Sequence, residues 1–181
     1  MAQYAYPDAD TSVGNWAAST GSNRYAMIDD AYDVASGTAD DTSISVSDDS
    51  MSTPEAITVS LSAVTDPSSA TGHSVVVLWN DGGGMSGINL NVSLLDSDGG
   101  AVKNEDFNAS SSPETSTMTL NTDQANGISG YDNLRLVLTA TDGGATGTTT
   151  SVYRAYFTCP EAASSTPIAA IAMNTYRQMR N

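Results

Sequence analysis

Cysteine, histidine and lysine each occur once in this 181-residue chain, as Cys159, His73 and Lys103. A single cysteine excludes an intrachain disulfide, and Cys159 reads as a small buried or half-buried residue at a strand end rather than a catalytic thiol. A single histidine excludes a two-histidine metal site. His73 follows Gly72 where a strand begins and is expected at a surface or edge position. Only six basic residues stand against 21 acidic ones, a net charge of −15, which repels phosphate backbones and argues against direct nucleic-acid binding. Aromatics make up 7%, so a sugar groove built from stacked rings has only Trp79 and a few tyrosines to draw on. No stretch approaches the roughly 20 apolar residues of a membrane span. The opening MAQYAYPDAD has no basic or apolar leader, so the expectation is synthesis in the cytoplasm without a secretory signal.

What is present is alternation. Ala56 to Val64 alternates apolar and polar, as a strand with one buried face does. Turn chemistry follows, Thr65-Asp66-Pro67-Ser68-Ser69-Ala70-Thr71-Gly72, and then a mostly buried strand through Trp79. This corner is the centre of the chain, and further strands read as its partners: Asp40–Ser47, Gly87–Asp96, Ala101–Phe107, Pro113–Asn121, Tyr131–Ala140 and Thr149–Thr158. Ser97-Asp98-Gly99-Gly100 is a hairpin turn, because Asp-Gly supplies positive φ values. Asn23–Ala31 reads as a strand or one helical turn, and Thr122–Gly130 as a short helical turn or loop. Eight or nine strands at regular spacing with no long helix predict an all-β fold: an antiparallel β-sandwich, jelly-roll-like, over residues 23–159.

Two flanking segments depart from that pattern. Residues 1–22 are polar but carry Tyr4, Tyr6 and Trp16, which predicts an extended N-terminal arm with three aromatic docking anchors. Residues 160–181 read as a linker and a short C-terminal helical tail. Thr166 is a candidate N-cap and Pro167 suits the first helical position. Ile168, Ile171, Tyr176 and Met179 fall on one helical face, with Arg177 and Arg180 near its end, and these six are the candidate partner interface of the tail.

Catalytic and metal-binding patterns are sparse. Asp29-Asp30, Asp40-Asp41 and Asp48-Asp49 read as solvated loops before they read as calcium sites. Asp96-Ser97-Asp98-Gly99 imitates the start of a calcium loop, but the position that needs Glu is Phe107. No nucleophile motif or phosphate loop is visible, so no cofactor, no metal and no enzymatic activity are expected.

Several segments, in order, resemble a β module of tailed-phage virion structural proteins. They are Gly14-Asn15-Trp16-Ala17-Ala18-Ser19-Thr20-Gly21, Tyr25-Ala26-Met27-Ile28-Asp29-Asp30, the Asp66-Pro67 and Thr71-Gly72-His73 corner, Val92-Ser93-Leu94-Leu95, and Tyr131-Asp132-Asn133-Leu134-Arg135-Leu136. The resemblance implies a jelly-roll-like virion component without enzymatic activity. The leading expectation is a capsid decoration or cement protein on the outer capsid surface of the virion. Its partners would be the major capsid protein and further copies of itself, a trimer by analogy with the threefold sites of capsids, without nucleic acid or membrane. The alternative is a tail-fibre or baseplate β module that binds a host-surface glycan. A degenerate hydrolase, with acidic residues clustered in a cleft, stands third.

Overall fold

Apolar alternation decides which face of each strand is buried. In β5 (Glu55–Leu61) the side chains of Ile57, Val59 and Leu61 point inward. In β7 (Asn89–Leu95) they are Leu90, Val92 and Leu94, and in β10 (Arg135–Thr141) Leu136, Leu138 and Ala140. The residues between them face out and are polar, so these strands lie on one hydrophobic core with their other face in water. The computed structural model describes residues 1–30, 42–47, 54–82, 89–108, 111–141 and 149–162.

The remaining elements are β1 (Ala2–Ala5), β2 (Pro7–Ser12), β3 (Ala17–Ala18), a 3₁₀ turn (Tyr25–Met27), β4 (Ile44–Ser47), β6 (Ser74–Asn80), β8 (Ala101–Asn108), β9 (Glu114–Thr119), helix α1 (Thr122–Asn126) and β11 (Thr149–Pro160). They form two antiparallel sheets. The first runs β3-β4-β11-β6-β9, with β1 also paired to β11; the second runs β2-β5-β10-β7-β8. From β4 onward every connection crosses between the sheets except the β7–β8 hairpin. The protein is therefore an all-β antiparallel sandwich, and Trp79, Phe157, Met118 and Val152 of the first sheet meet Ile57, Leu94, Leu136 and Leu138 of the second in one core.

Three local details set the ends of strands. In the β7–β8 turn Gly99 adopts φ +85°, as the Asp-Gly pair predicts. The Asp96 carboxylate accepts from the backbone N–H of Asp98 and of Gly100. Both bonds fall on Oδ1 and close the turn, as the hairpin reading expects. In β11 the pairing with β6 shifts between Val152 and Arg154, and the Ala155 N–H bonds the carbonyl of Ile28 at 3.0 Å. Helix α1 carries a capping box: the Asn121 side chain accepts from the Gln124 N–H, and the Gln124 side chain accepts from the Asn121 N–H, each at 2.9 Å.

The N-terminal segment corrects the expectation of an extended arm over residues 1–22. β1 lies along β11 from Ala2 opposite Pro160 to Ala5 opposite Phe157, while β2 lies along β5. Tyr6 alone carries the chain from one sheet to the other. This segment therefore clips one side of the sandwich, and backbone hydrogen bonds hold it although its sequence does not alternate. The expected C-terminal helix over 166–181 lies outside the described residues, as do Asp40-Asp41 and Asp48-Asp49.

Candidate functional site

An open cleft of about 540 Å³ lies on the outer side of the second sheet, at the end that carries the β7–β8 turn. Four parts of the chain line it. β2 supplies Asp8, Ala9 and Thr11, β5 supplies Ser60 and Leu61, the hairpin turn supplies Ser97, and the start of β10 with the residues before it supplies Asp132, Asn133 and Arg135. The volume is within the ordinary range for small-molecule sites, but the lining is polar where most such sites are apolar.

Strand register explains why these residues meet. Arg135 stands opposite Ser60 of β5 on one side and Leu95 of β7 on the other. Its outward direction follows from the inward Leu134 and Leu136. β2 brings Asp8 and Thr11 to the free edge of β5, and the Ser60 hydroxyl reaches the Ala9 carbonyl at 3.4 Å. Gly99 matters here for a reason beyond its φ: a Cβ at that position would lie 2.9 Å from Nη2 of Arg135. A bare glycine lets the guanidinium lie against the turn.

The rim residues Asp132 and Asn133 are exposed, but the chain on both sides of them is fixed. The Val64 N–H donates to the Tyr131 carbonyl at 3.1 Å, and the Leu61 N–H to the Leu134 carbonyl at 2.9 Å. Ser129 bonds Ser97 at 3.0 Å and donates to Asp96 at 3.2 Å, tying this loop to the hairpin turn. Beneath the rim, the Tyr131 hydroxyl lies 2.8 Å from Nε2 of His73. His73 is 0% exposed, which corrects the expected surface position: its ring packs between Tyr131 and Phe157, with centroids at 5.8 and 6.0 Å. Burial pushes the His73 pKa down, against the Thr71 backbone and the Asp66 charge, which push it up. Burial likewise pushes the Tyr131 hydroxyl up to about 12 and the Cys159 thiol up to about 11. Cys159 is fully buried near the end of β11, as its sequence context predicts for a structural thiol.

The aromatic anchors expected in the arm separate into two environments. Tyr4 and Tyr6 stack at 6.2 Å, and both meet Tyr156 of β11, at 5.7 and 5.9 Å. Tyr4 is the exposed member, at 37%. Trp16 is 1% exposed, and its indole N–H donates to the Glu55 carbonyl at 3.2 Å. It is a core residue of the sandwich, which corrects its reading as a docking anchor: the ring is the large apolar filler beneath β5. The tail candidates Ile168, Ile171, Tyr176, Arg177, Met179 and Arg180 lie outside the described residues. Among the described residues there is no group of three or more His, Cys, Asp or Glu side chains able to hold a metal ion.

Chemically, the cleft offers two carboxylates, a carboxamide, three hydroxyls and one guanidinium within one open surface. Carboxylates accept only, a guanidinium donates only, and amides and hydroxyls do both. Such a set suits a ligand rich in hydroxyl groups. Sequence reasoning missed Asp8, Asp132, Asn133 and Arg135 as a group. The only signal was that three of them lie in or beside Tyr131-Asp132-Asn133-Leu134-Arg135, a segment singled out for resemblance rather than chemistry.

No protein-family model matches the chain, and no curated protein matches it. Solved structures do. One is TmCBM61 in complex with β-1,4-galactotriose, at 10% identity and a TM-score of 0.40, covering 66% of this chain and 71% of that one. A second is the enzymatically active domain of tailspike protein 4 of bacteriophage CBA120, at 12% identity and a TM-score of 0.42, covering 86% of this chain and 19% of that one. A third is the exo-β-1,3-galactanase of Phanerochaete chrysosporium with β-1,3-galactotriose, at 12% identity and a TM-score of 0.40, covering 87% of this chain and 29% of that one. The expectation of a protein without enzymatic activity is corrected here. Glycoside hydrolases stand among the structures that match, and the absence of catalysis is not carried forward.

Proposed function

We propose that the chain is a glycan-binding β-sandwich module of a tailed-phage tail fibre or baseplate, and that its cleft takes a hydroxyl-rich, uncharged stretch of a host-surface polysaccharide. The observation that carries the reading is the polar lining: Asp8, Asp132, Asn133 and Arg135 converge on one solvent-open cleft of about 540 Å³. The net charge of −15 disfavours polyanionic ligands at long range, which leaves neutral sugars as the chemical class. Among the described residues no aromatic ring lines the cleft, so affinity comes from hydrogen bonds and is modest per site. Many copies on one particle turn modest contacts into firm attachment.

Two features support the phage setting and the jelly-roll wiring. The ordered motifs from Trp16 to Leu136 resemble the virion module, and the strand orders β4-β11-β6-β9 and β5-β10-β7-β8 are those of eight strands wound as a jelly roll. The cleft supports the alternative over capsid decoration, the leading expectation from sequence. Of the side chains meant to grip a shell, Trp16 is in the core, whereas the cleft faces solvent. Self-association through the tail, residues 160–181, stays part of the proposal, and a chain lacking residues 166–181 compared with the full chain by light scattering tests it.

Asp8 and Asp132 are also the pair of group types that glycoside hydrolysis uses as acid and base or nucleophile. The test therefore reads both outcomes: the full chain is put on an array of bacterial surface polysaccharides, with binding and new reducing ends recorded together. Binding that Arg135→Ala and Asp132→Ala both abolish supports the cleft. Binding that neither variant changes contradicts it.

A further inference from the structure

We infer that His73 and Tyr131 are positioning residues for the Asp132–Asn133 rim of the cleft, and that protonation of His73 loosens that rim and lets the ligand go. For its effect on binding the inference rests on the glycan reading; the coupling between His73 and the rim stands on geometry alone.

The chain passes directly from the Tyr131 ring to the two rim residues. Backbone bonds from Val64 and Leu61 fix the carbonyls of Tyr131 and Leu134 on either side of them. The side-chain anchor on this stretch is the Tyr131 hydroxyl, which meets Nε2 of His73 at 2.8 Å in the interior. Tyr131 is 8% exposed and His73 0%. His73 in turn is fixed at the start of β6, where its carbonyl accepts from the Leu120 N–H at 3.0 Å. The cleft wall thus leans on a buried imidazole that makes no contact with the ligand space.

A neutral imidazole suits that place and a charged one does not. Its surroundings are the Phe157 and Tyr131 rings and the Thr71 backbone, while the Cys159 thiol on β11 acts on Tyr131. The charged group facing the pair is Asp66, from the corner before β6. Desolvation outweighs both the Thr71 backbone hydrogen bond and the attraction of Asp66, so the folded state binds the proton more weakly than an opened state whose His73 is in water. The sign follows: above the free-imidazole value of 6.5 both states are neutral and the closed rim is favoured. As pH falls below 6.5 the open state takes up the proton first, and closure is progressively lost. The bond also changes character. A neutral Nε2 can accept from the tyrosine hydroxyl, whereas a protonated one can only donate.

The experiment is a pH titration of the full chain by ¹⁵N NMR, from about pH 8 to about pH 5, a window in which histidine titrates and ordinary carboxylates do not. The expected result is that the Asp132 and Asn133 amides move with the midpoint of the His73 imidazole and stay still in His73→Gln. Tyr131→Phe is the second variant: its imidazole still titrates, but the rim amides no longer follow. Rim amides that ignore His73, or that move equally in His73→Gln, overturn the inference. So does simultaneous loss of all dispersed signals, which would mean global unfolding instead of local release. A binding arm then measures affinity for the polysaccharide at both ends of the window. Wild type is expected to lose about tenfold and His73→Gln less than about twofold. Failure to bind at any pH counts against the glycan reading, while the amide titration still decides the coupling.

Discussion

β10 and β2 lie in the same sheet and line the same cleft, yet their sequences have little in common. Arg-Leu-Val-Leu-Thr-Ala-Thr alternates cleanly, with Leu136, Leu138 and Ala140 fully buried. Pro-Asp-Ala-Asp-Thr-Ser shows no apolar alternation, and beyond Pro7 its residues are exposed or half-buried. β10 is central, paired with β5 and β7; β2 is an edge strand paired with β5 alone, through two register irregularities. A central strand is held by side chains that leave water, at about 1.5–3 kcal/mol for each fully buried Leu. An edge strand needs only backbone partners, and those do not depend on side-chain identity. The same difference frees β2 to present Asp8 and Thr11 to the cleft.

Substitutions can sharpen that contrast. Leu138→Ala in the central strand is expected to cost about 2–5 kcal/mol in denaturant unfolding, because it leaves a cavity between two paired neighbours. Tyr131→Phe, at the junction of core and rim, is expected to cost about 1–3 kcal/mol, since it leaves the buried His73 nitrogen without its hydroxyl partner. Gly99→Ala is expected to cost about 1 kcal/mol or more, from a side chain at φ +85°, and to weaken ligand binding by pushing the Arg135 guanidinium off the turn. Asp8→Asn in the edge strand is expected to stay within about 0.5 kcal/mol of wild type in stability while still lowering affinity for the polysaccharide. A large stability loss for Asp8→Asn, or a small one for Leu138→Ala, would erase the contrast between centre and edge.

The same physics explains what could be read in advance. Each strand from β4 to β11 was expected near its observed place, and in β4, β5, β7 and β10 inward Ile, Val, Leu and Ala side chains impose a period of two on the sequence. The Ser97–Gly100 turn was legible from Asp-Gly. β1 and β2 were read as an extended docking arm because their pairing is written in backbone groups. Trp16 was read as an anchor because a lone aromatic in a polar stretch looks the same whether it docks on a partner or on its own core. His73 looked like an edge residue because its partner, Tyr131, is 58 positions away. The cleft was invisible for a related reason: Asp8, Ser60, Ser97 and Arg135 come from four separate segments, and only strand register brings them together.

The measurement that bears most directly on the central claim is isothermal titration of the full chain with the polysaccharide that gives the strongest array signal, alongside Arg135→Ala. The account predicts saturable binding by wild type at neutral pH and none by the variant, with the unfolding midpoint of the variant unchanged. Equal binding by both proteins, or no binding by wild type to any neutral polysaccharide, would contradict it.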